Sequence, residues 1–390
     1  MMAACARHSL FLSEDGVVWG CGKNRSFQLG SHIEDSVLGS HIKDSVFKPI
    51  RIEGMPPIKA IFCAPYTSFF IDEEDELWFM GEFPYSNGKL NHSFPTKIEK
   101  SFIITQIACN GTLTILLDHS GNVWKHGEFR SKITPQLTAE FCSAKRVEDI
   151  PAAQAVYIGY RFVVILCTDG SVWGTFDYDY KLGYYHSPSG YDGIAEYRWM
   201  KLEPIPEIRS ISCGSSHVLF ISTTNEVWAY GSNNRGQLGL KDKSAIWTPT
   251  LVPLKSPIIS TACGNYHSLF LDCHQKVWAC GSNDRGQLGF KFGATKSKPK
   301  RIPNLPPISS ISAGLDHSIF ISEEGIAYGC GCNREGALGF KTKFQGFGTA
   351  QYSVVPIPLP IKVKSMSSLS EELANYNLKS AKATTTFQEN

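Results

Sequence analysis

The chain has 390 residues, 42% of them hydrophobic and 19% charged, with a formal net charge of +2. That hydrophobic content excludes a disordered chain, and the charge balance gives no broad electrostatic ground for a nucleic-acid or membrane partner. No apolar run approaches the ~20 residues that cross a bilayer, and the 12 cysteines form no C-x-x-C pair, which excludes zinc-ribbon and redox spacings.

The opening residues MMAACAR lack the long apolar segment of a secretory signal, so free thiols in a reducing cytoplasmic or nuclear setting are expected. The first element is an apolar run, a polar turn and a Val-Trp strand, HSLFLSEDGVVWGCG at 8–22. The same unit returns as TSFFIDEEDELWFMG (67–81), TLTILLDHSGNVWKHG (112–127) and RFVVILCTDGSVWGTF (161–176). It continues as SHVLFISTTNEVWAYG (216–231), YHSLFLDCHQKVWACG (266–281) and DHSIFISEEGIAYGCG (316–331). The anchors Trp19, Trp78, Trp124, Trp173, Trp228, Trp278 and Tyr328 are spaced by 59, 46, 49, 55, 50 and 50 residues. The long first spacing contains a tandem nine-residue duplication, GSHIEDSVL (30–38) followed by GSHIKDSVF (39–47). Such an insertion belongs in a surface loop.

Each unit reads as four short strands. In residues 208–254 these are 208–213, the continuous apolar run 217–221, 226–230 and 250–254. A run apolar on both sides suits a strand covered on both faces. Asp15-Gly16, Ser120-Gly121 and Asp169-Gly170 supply hairpin turns. Pro49, Pro95, Pro249, Pro299 and Pro356 fall on the fourth strands, where a residue without an N–H belongs at a sheet edge. Period, strand count and proline placement predict an all-β, seven-bladed β-propeller of four-stranded antiparallel blades. Closure is expected by pairing of N- and C-terminal strands, with 361–366 completing the sheet that holds residues 8–22. Residues 1–366 then form one propeller, and 367–390 a polar tail, disordered or carrying a short helix capped by Ser368 and Glu371. Trp228 and Trp278 are expected to be largely buried packing residues.

The loops GSNNRGQLG (231–239), GSNDRGQLG (281–289), GCNREGALG (331–339) and GKNRSFQLG (22–30), with ISCGSSHVLFI (211–221) and TACGNYHSLFL (261–271) before them, resemble repeats of the regulator-of-chromosome-condensation family. The resemblance covers residues 1 to about 366 and is strongest in blades one, five, six and seven. It implies a seven-bladed propeller that binds proteins. The founding member is a guanine nucleotide exchange factor for the GTPase Ran; other members are ubiquitin-ligase modules, scaffolds and kinase partners.

The residues that look chemical have structural readings. His8, His217, His267 and His317 recur at one repeat position, and a catalytic histidine has no reason to repeat per blade; a satisfied buried hydrogen bond does. Cys213 and Cys263, and Cys21, Cys280 and Cys330, also sit at repeat-equivalent positions and read as small hydrophobes. The glycine loops fail both the dinucleotide and the P-loop spacing. No catalytic constellation stands out, and no metal or cofactor is expected. Lys291, Lys296, Lys298, Lys300 and Arg301 form a basic cluster, read as a solvated loop. Residues 176–200 hold six of the 15 tyrosines, and rigid amphipathic rings favour binding surfaces. Asp177, Tyr178, Asp179, Tyr180, Tyr184, Tyr185, Tyr191 and Asp192 are therefore the candidate partner site. The reading is a monomeric, non-membrane, protein-binding propeller, acting through a small Ran-like GTPase or, alternatively, as a non-exchanging scaffold or ubiquitin-ligase or kinase adaptor.

Overall fold

The computed structural model describes residues 1–5, 7–30, 44–82, 91–111, 113–127, 144–160, 162–175, 199–290, 295–341, 350–359 and 362–363. Blade one comprises β1 (Met2–Ala4), β2 (His8–Leu12), β3 (Val18–Lys23) and β4 (Ser45–Arg51); blade two, β5 (Ile58–Cys63), β6 (Thr67–Asp72), β7 (Leu77–Glu82) and β8 (Asn91–Ile98). Blade three has β9 (Ile104–Cys109), β10 (Leu113–Asp118), β11 (Val123–Gly127) and β12 (Lys145–Arg146); blade four, β13 (Ala153–Ile158), β14 (Val163–Cys167), β15 (Val172–Thr175) and β16 (Trp199–Lys201). Blade five has β17 (Ile208–Cys213), β18 (His217–Ser222), β19 (Val227–Gly231) and β20 (Ile246–Leu251); blade six, β21 (Ile258–Cys263), β22 (His267–Asp272), β23 (Val277–Gly281) and β24 (Lys296–Arg301). Blade seven has β25 (Ile308–Ala313), β26 (His317–Ser322), β27 (Ala327–Cys332) and β28 (Ala350–Pro356). Each blade is an antiparallel meander in sequence order. No helix among the described residues is long and apolar enough to cross a membrane.

The second strands explain the continuous apolar runs. All residues of β6, β18, β22 and β26 are buried, because each such strand has a neighbouring blade against both faces. The core is correspondingly divided into layers between successive blades. One layer joins Leu219, Ile221 and Val227 of blade five to Ile258 and Phe270 of blade six. Another joins Ile319 and Ile321 of blade seven to Met2 and Phe11 of blade one. The prolines lie on outer strands as expected, Pro49 in β4 and Pro299 in β24 among them.

Closure differs from the expectation in one respect. The inner strand of blade one is supplied mainly by β1, paired as Met2↔Phe11, Ala3↔Leu10 and Ala4↔Ser9. Among the described residues the C-terminal segment adds one bridge, Ser13↔Val363; of the expected strand 361–366, residues 361 and 364–366 lie outside the described residues. Blade five pairs Ile211↔Phe220 and Ile208↔Ser222, so Met2 takes the place of Ile211 and Val363 that of Ile208. Both chain ends thus share one strand position. Val363 N–H donates to Gly325 O at 3.1 Å, as Ile308 N–H donates to Gln275 O at 3.1 Å. Three short residues ahead of the first apolar run carry too little periodicity to be read as a strand.

The anchor tryptophans Trp228 and Trp278 are largely but not fully buried. Each anchor stands on the third strand beside the hairpin that precedes it. Where that hairpin starts with aspartate, the carboxylate holds the ring: Trp78 Nε1 donates to Asp72 Oδ2 (2.8 Å), Trp124 Nε1 to Asp118 Oδ2 (2.9 Å) and Trp278 Nε1 to Asp272 Oδ2 (2.8 Å). The same carboxylates accept from turn amides, as Asp272 Oδ1 does from His274 and Lys276 N–H. Burial pushes the Asp118 carboxyl up, but the bonds from Trp124, Asn122 and the turn outweigh it, and the group titrates below its ordinary value.

Candidate functional site

The recurrent histidines are clamps between blades. His8 Nε2 meets Ser68 Oγ at 3.1 Å, His217 meets Ser268 at 2.9 Å, His267 meets Ser318 at 3.0 Å, and His317 meets Ser9 at 3.1 Å. Each serine hydroxyl in turn donates to a carbonyl of the preceding blade's glycine loop: Ser68 to Gln28 O, Ser268 to Gln237 O, Ser318 to Gln287 O and Ser9 to Ala337 O. With its proton committed there, the serine accepts from imidazole Nε2–H. The histidine is therefore a donor and not a base, the reverse of what a nucleophilic serine requires. Burial pushes His8, His217 and His267 down to about 3 and His317 to about 4, so all four are neutral. Each of His217, His267 and His317 lies over a glycine: a Cβ on Gly264 would stand 2.1 Å from His267 Cε1.

The loop asparagines complete the clamp. Asn24, Asn233, Asn283 and Asn333 are fully buried, and their Oδ1 atoms accept Leu29, Leu238, Leu288 and Leu338 N–H. Histidine, serine and loop form a three-part unit at the junctions one–two, five–six, six–seven and seven–one. The other junctions lack the histidine and the serine. Thr67 and Thr114 replace the pair between blades two and three, Leu113 and Val163 the next, and Phe162 and Val218 that between four and five.

The remaining reactive groups are quiet. Burial pushes the thiols of Cys21, Cys63, Cys213, Cys280 and Cys330 above their ordinary value, and Cys263 to about 12. Such thiols resist becoming thiolates. Among the described residues no group of three His, Cys, Asp or Glu side chains is placed to hold a metal ion.

The meander places the loops after the first and third strands of each blade on one side of the ring, the loop face. The opposite face is made of short hairpins tied to the next blade, as in Ile58 N–H to Gly16 O at 2.9 Å. Exposed aromatic rings stand on the loop face. Tyr66, Tyr160 and Tyr266 are 44%, 64% and 37% exposed, and Lys23 Nζ lies 5.1 Å from the Tyr66 ring centre. Sequence reading missed these tyrosines, although Tyr66 and Tyr266 immediately precede the clamp position. Phe27 adds a strained residue there: its φ is 59°, where Gly236, Gly286 and Gly336 have 74°, 81° and 84°. A left-handed backbone disfavours a bulky side chain. Charges bind this face across blade seams, with Arg7 Nη1 2.6 Å from Glu335 Oε1 and Arg235 Nη1 3.7 Å from Asp284 Oδ2.

Asp177, Tyr178, Asp179, Tyr180, Tyr184, Tyr185, Tyr191 and Asp192 lie outside the described residues. The strands that flank them are described: Thr175 of β15 pairs with Trp199 of β16 at the loop-face end of blade four, the end that also carries Tyr160.

The model of the RCC1-like domain matches residues 89–370, and that of the regulator of chromosome condensation (RCC1) repeat matches 15–71. Human protein RCC2 is 33% identical over 268 residues, covering 64% of this chain and 42% of RCC2. The human E3 ubiquitin-protein ligase HERC2 is 30% identical over 263 residues, 63% of this chain and 5% of HERC2. The chain therefore spans less than half of either relative. The solved structure of Prp20p from Saccharomyces cerevisiae superposes with a TM-score of 0.73 at 19% identity, covering 90% of this chain and 88% of that one.

Proposed function

Because the chain belongs to the RCC1-like domain family, we propose that it is a regulator that acts by holding a partner protein against the loop face of blades two to four. The observation that carries this reading is the uneven distribution of the clamps. A ring of similar blades poses the same packing problem at each junction, and blades one, five, six and seven spend their glycine loops on solving it. Blades two to four have apolar or threonine pairs instead, which leaves their loop-face segments without that structural duty. An asymmetric partner needs such a region. In blade four the released segment is Tyr- and Asp-rich, and it suits a basic protein surface through aromatic burial and charge complementarity.

In this proposal Asp177, Tyr178, Asp179, Tyr180, Tyr184, Tyr185, Tyr191 and Asp192 contact the partner, with Tyr160 beside them. The partner proposed first is a small Ran-like GTPase whose nucleotide exchange the propeller regulates, in the cytoplasm or nucleus and as a monomer. Prp20p, which shares the fold, is described with binding properties toward Gsp1p and histones. The match to a ubiquitin ligase, HERC2, favours the second reading, a scaffold or adaptor without exchange activity. Fold does not decide between them. The test is a pull-down with the Tyr178→Ala/Asp179→Ala/Tyr180→Ala variant, together with an exchange assay on Ran loaded with labelled nucleotide. The variant should remain folded and lose the main partner; normal capture refutes the site. Accelerated nucleotide release selects the first reading, and ligase subunits captured without exchange select the second.

A further inference from the structure

Of the basic cluster read as a loop, Lys291 lies outside the described residues and the rest is a strand. Lys296, Lys298, Lys300 and Arg301 belong to β24, the outer strand of blade six. The blade-five loop rests on it: Gly239 lies against Pro299, and Gly236 so close that a Cβ would stand 2.7 Å from Ser297 Cα. That loop continues into Lys241 and Lys243, both exposed. Six cations therefore gather at one seam, and among the described residues none of them has an ion-pair partner. Some cations on the rim are paired, Lys97 with Glu76 at 3.4 Å and Lys201 with Glu203 at 2.6 Å. Among the described residues the outer strands β4 and β12 carry two unpaired cations each, Lys48 and Arg51, and Lys145 and Arg146, so the number gathered at β24 distinguishes this seam.

Lysines on an edge strand also discourage sheet-to-sheet pairing. That purpose does not require four of them here. The outer strands on either side, β20 (IWTPTL) and β28 (AQYSVVP), carry no charge and the same kind of proline.

We propose that β24 is a docking site for an acidic segment of a partner protein, lying in extended form along the blade-five/blade-six seam. Lys298 and Lys300 stand two residues apart, a spacing of ~6.8 Å along a strand, and Lys296 continues the row across an irregularity where the register against β23 shifts. An extended peptide with Asp or Glu at every second residue has the same spacing. The patch is roughly 20 Å long, bounded on both sides by uncharged strands. The adjoining hairpin face carries Glu207, Glu226, Glu323 and Glu324. A nucleic-acid duplex, whose charge continues past one turn of roughly 34 Å, would run off the patch. A short acidic segment would not. This surface is the outer rim of blade six, so the inference does not rest on the loop-face reading.

The test uses the full chain and a labelled peptide of about eight residues with Glu and Ser alternating, titrated by fluorescence anisotropy at low and high salt. Binding should weaken with salt and fall at least about tenfold in Lys298→Glu/Lys300→Glu, with the melting temperature unchanged. Lys48→Glu, on the outer strand of blade one, should bind as the parent does. The proposal is overturned by salt-insensitive or absent peptide binding, by an equal loss in Lys48→Glu, or by tighter binding of a short DNA duplex than of the peptide.

Discussion

Lowering the pH from 7 to 5 should destabilise this propeller far more than its near-neutral net charge suggests. Four clamp histidines are held neutral in the folded state, at about 3 for His8, His217 and His267 and about 4 for His317. Unfolded, each titrates near its ordinary value of about 6.5. The unfolded chain therefore binds more protons, and stability rises with pH. The contribution is intact above about pH 6.5 and is lost progressively as pH falls toward the folded values. At pH 5 the unfolded imidazole is almost fully protonated and the folded one almost fully neutral, whether its value is 3 or 4. The penalty is about 2 kcal/mol per histidine, or about 8 kcal/mol for four, comparable to the whole stability of an ordinary domain. Burial shifts His126 in the same direction. Urea unfolding at pH 7, 6 and 5 measures the loss, and its slope gives an uptake of about four protons. The protein itself supplies the control. Phe162 rests over Gly159 as His217 rests over Gly214, and Phe162 shares an apolar cluster with Val218. His217→Phe/Ser268→Val copies that junction, and Gln237 O keeps the Cys280 thiol as a donor. The double variant should fold at pH 7 and take up about one proton fewer. Equal stability at pH 7 and 5, or an unchanged slope in the variant, would refute the reasoning.

Other outcomes follow from single positions. Trp228 Nε1 is buried without a partner because Ser222 stands where blade six has Asp272, so Ser222→Asp should stabilise by about 1 kcal/mol, seen as a higher melting temperature that Trp228→Phe abolishes. Val363 is 1% exposed in the layer that closes the ring; Val363→Ala should cost about 2 kcal/mol in chemical unfolding, and no loss would mean that the C-terminal bridge does not help close the ring. Phe27→Gly removes a bulky side chain from a left-handed backbone and should gain about 1 kcal/mol; a loss would show that the ring packs against something worth more than the strain.

Most of the propeller was legible because its cues are local. Continuous apolar runs mark strands covered on both sides, Asp-Gly turns mark hairpins, and prolines mark outer edges. The clamp was legible only as recurrence: His217 repeats visibly, but its partner Ser268 lies a full repeat away. How Trp278 is held was not legible for a related reason. Its indole nitrogen is held by Asp272, six residues earlier, which reads in sequence as one more polar turn residue. The inner strand Met2–Ala4 is too short to show a period, and KSKPKR shows no apolar alternation because an edge strand needs none on its outward side. The tyrosine-rich segment was recognisable by composition alone, and its eight candidate residues lie outside the described residues.

The three-part clamp also defines where this scaffold accepts foreign sequence. A loop whose glutamine carbonyl receives a serine from the next blade cannot be exchanged alone, since its removal strands that hydroxyl and the histidine behind it. Grafting there requires three coordinated changes in two blades. At the junctions that follow blades two, three and four no His–Ser pair is present among the described residues, so a recognition loop inserted at those three sites is expected to leave the ring intact. For protein engineering the molecule is a frame with four fixed corners and three open sockets.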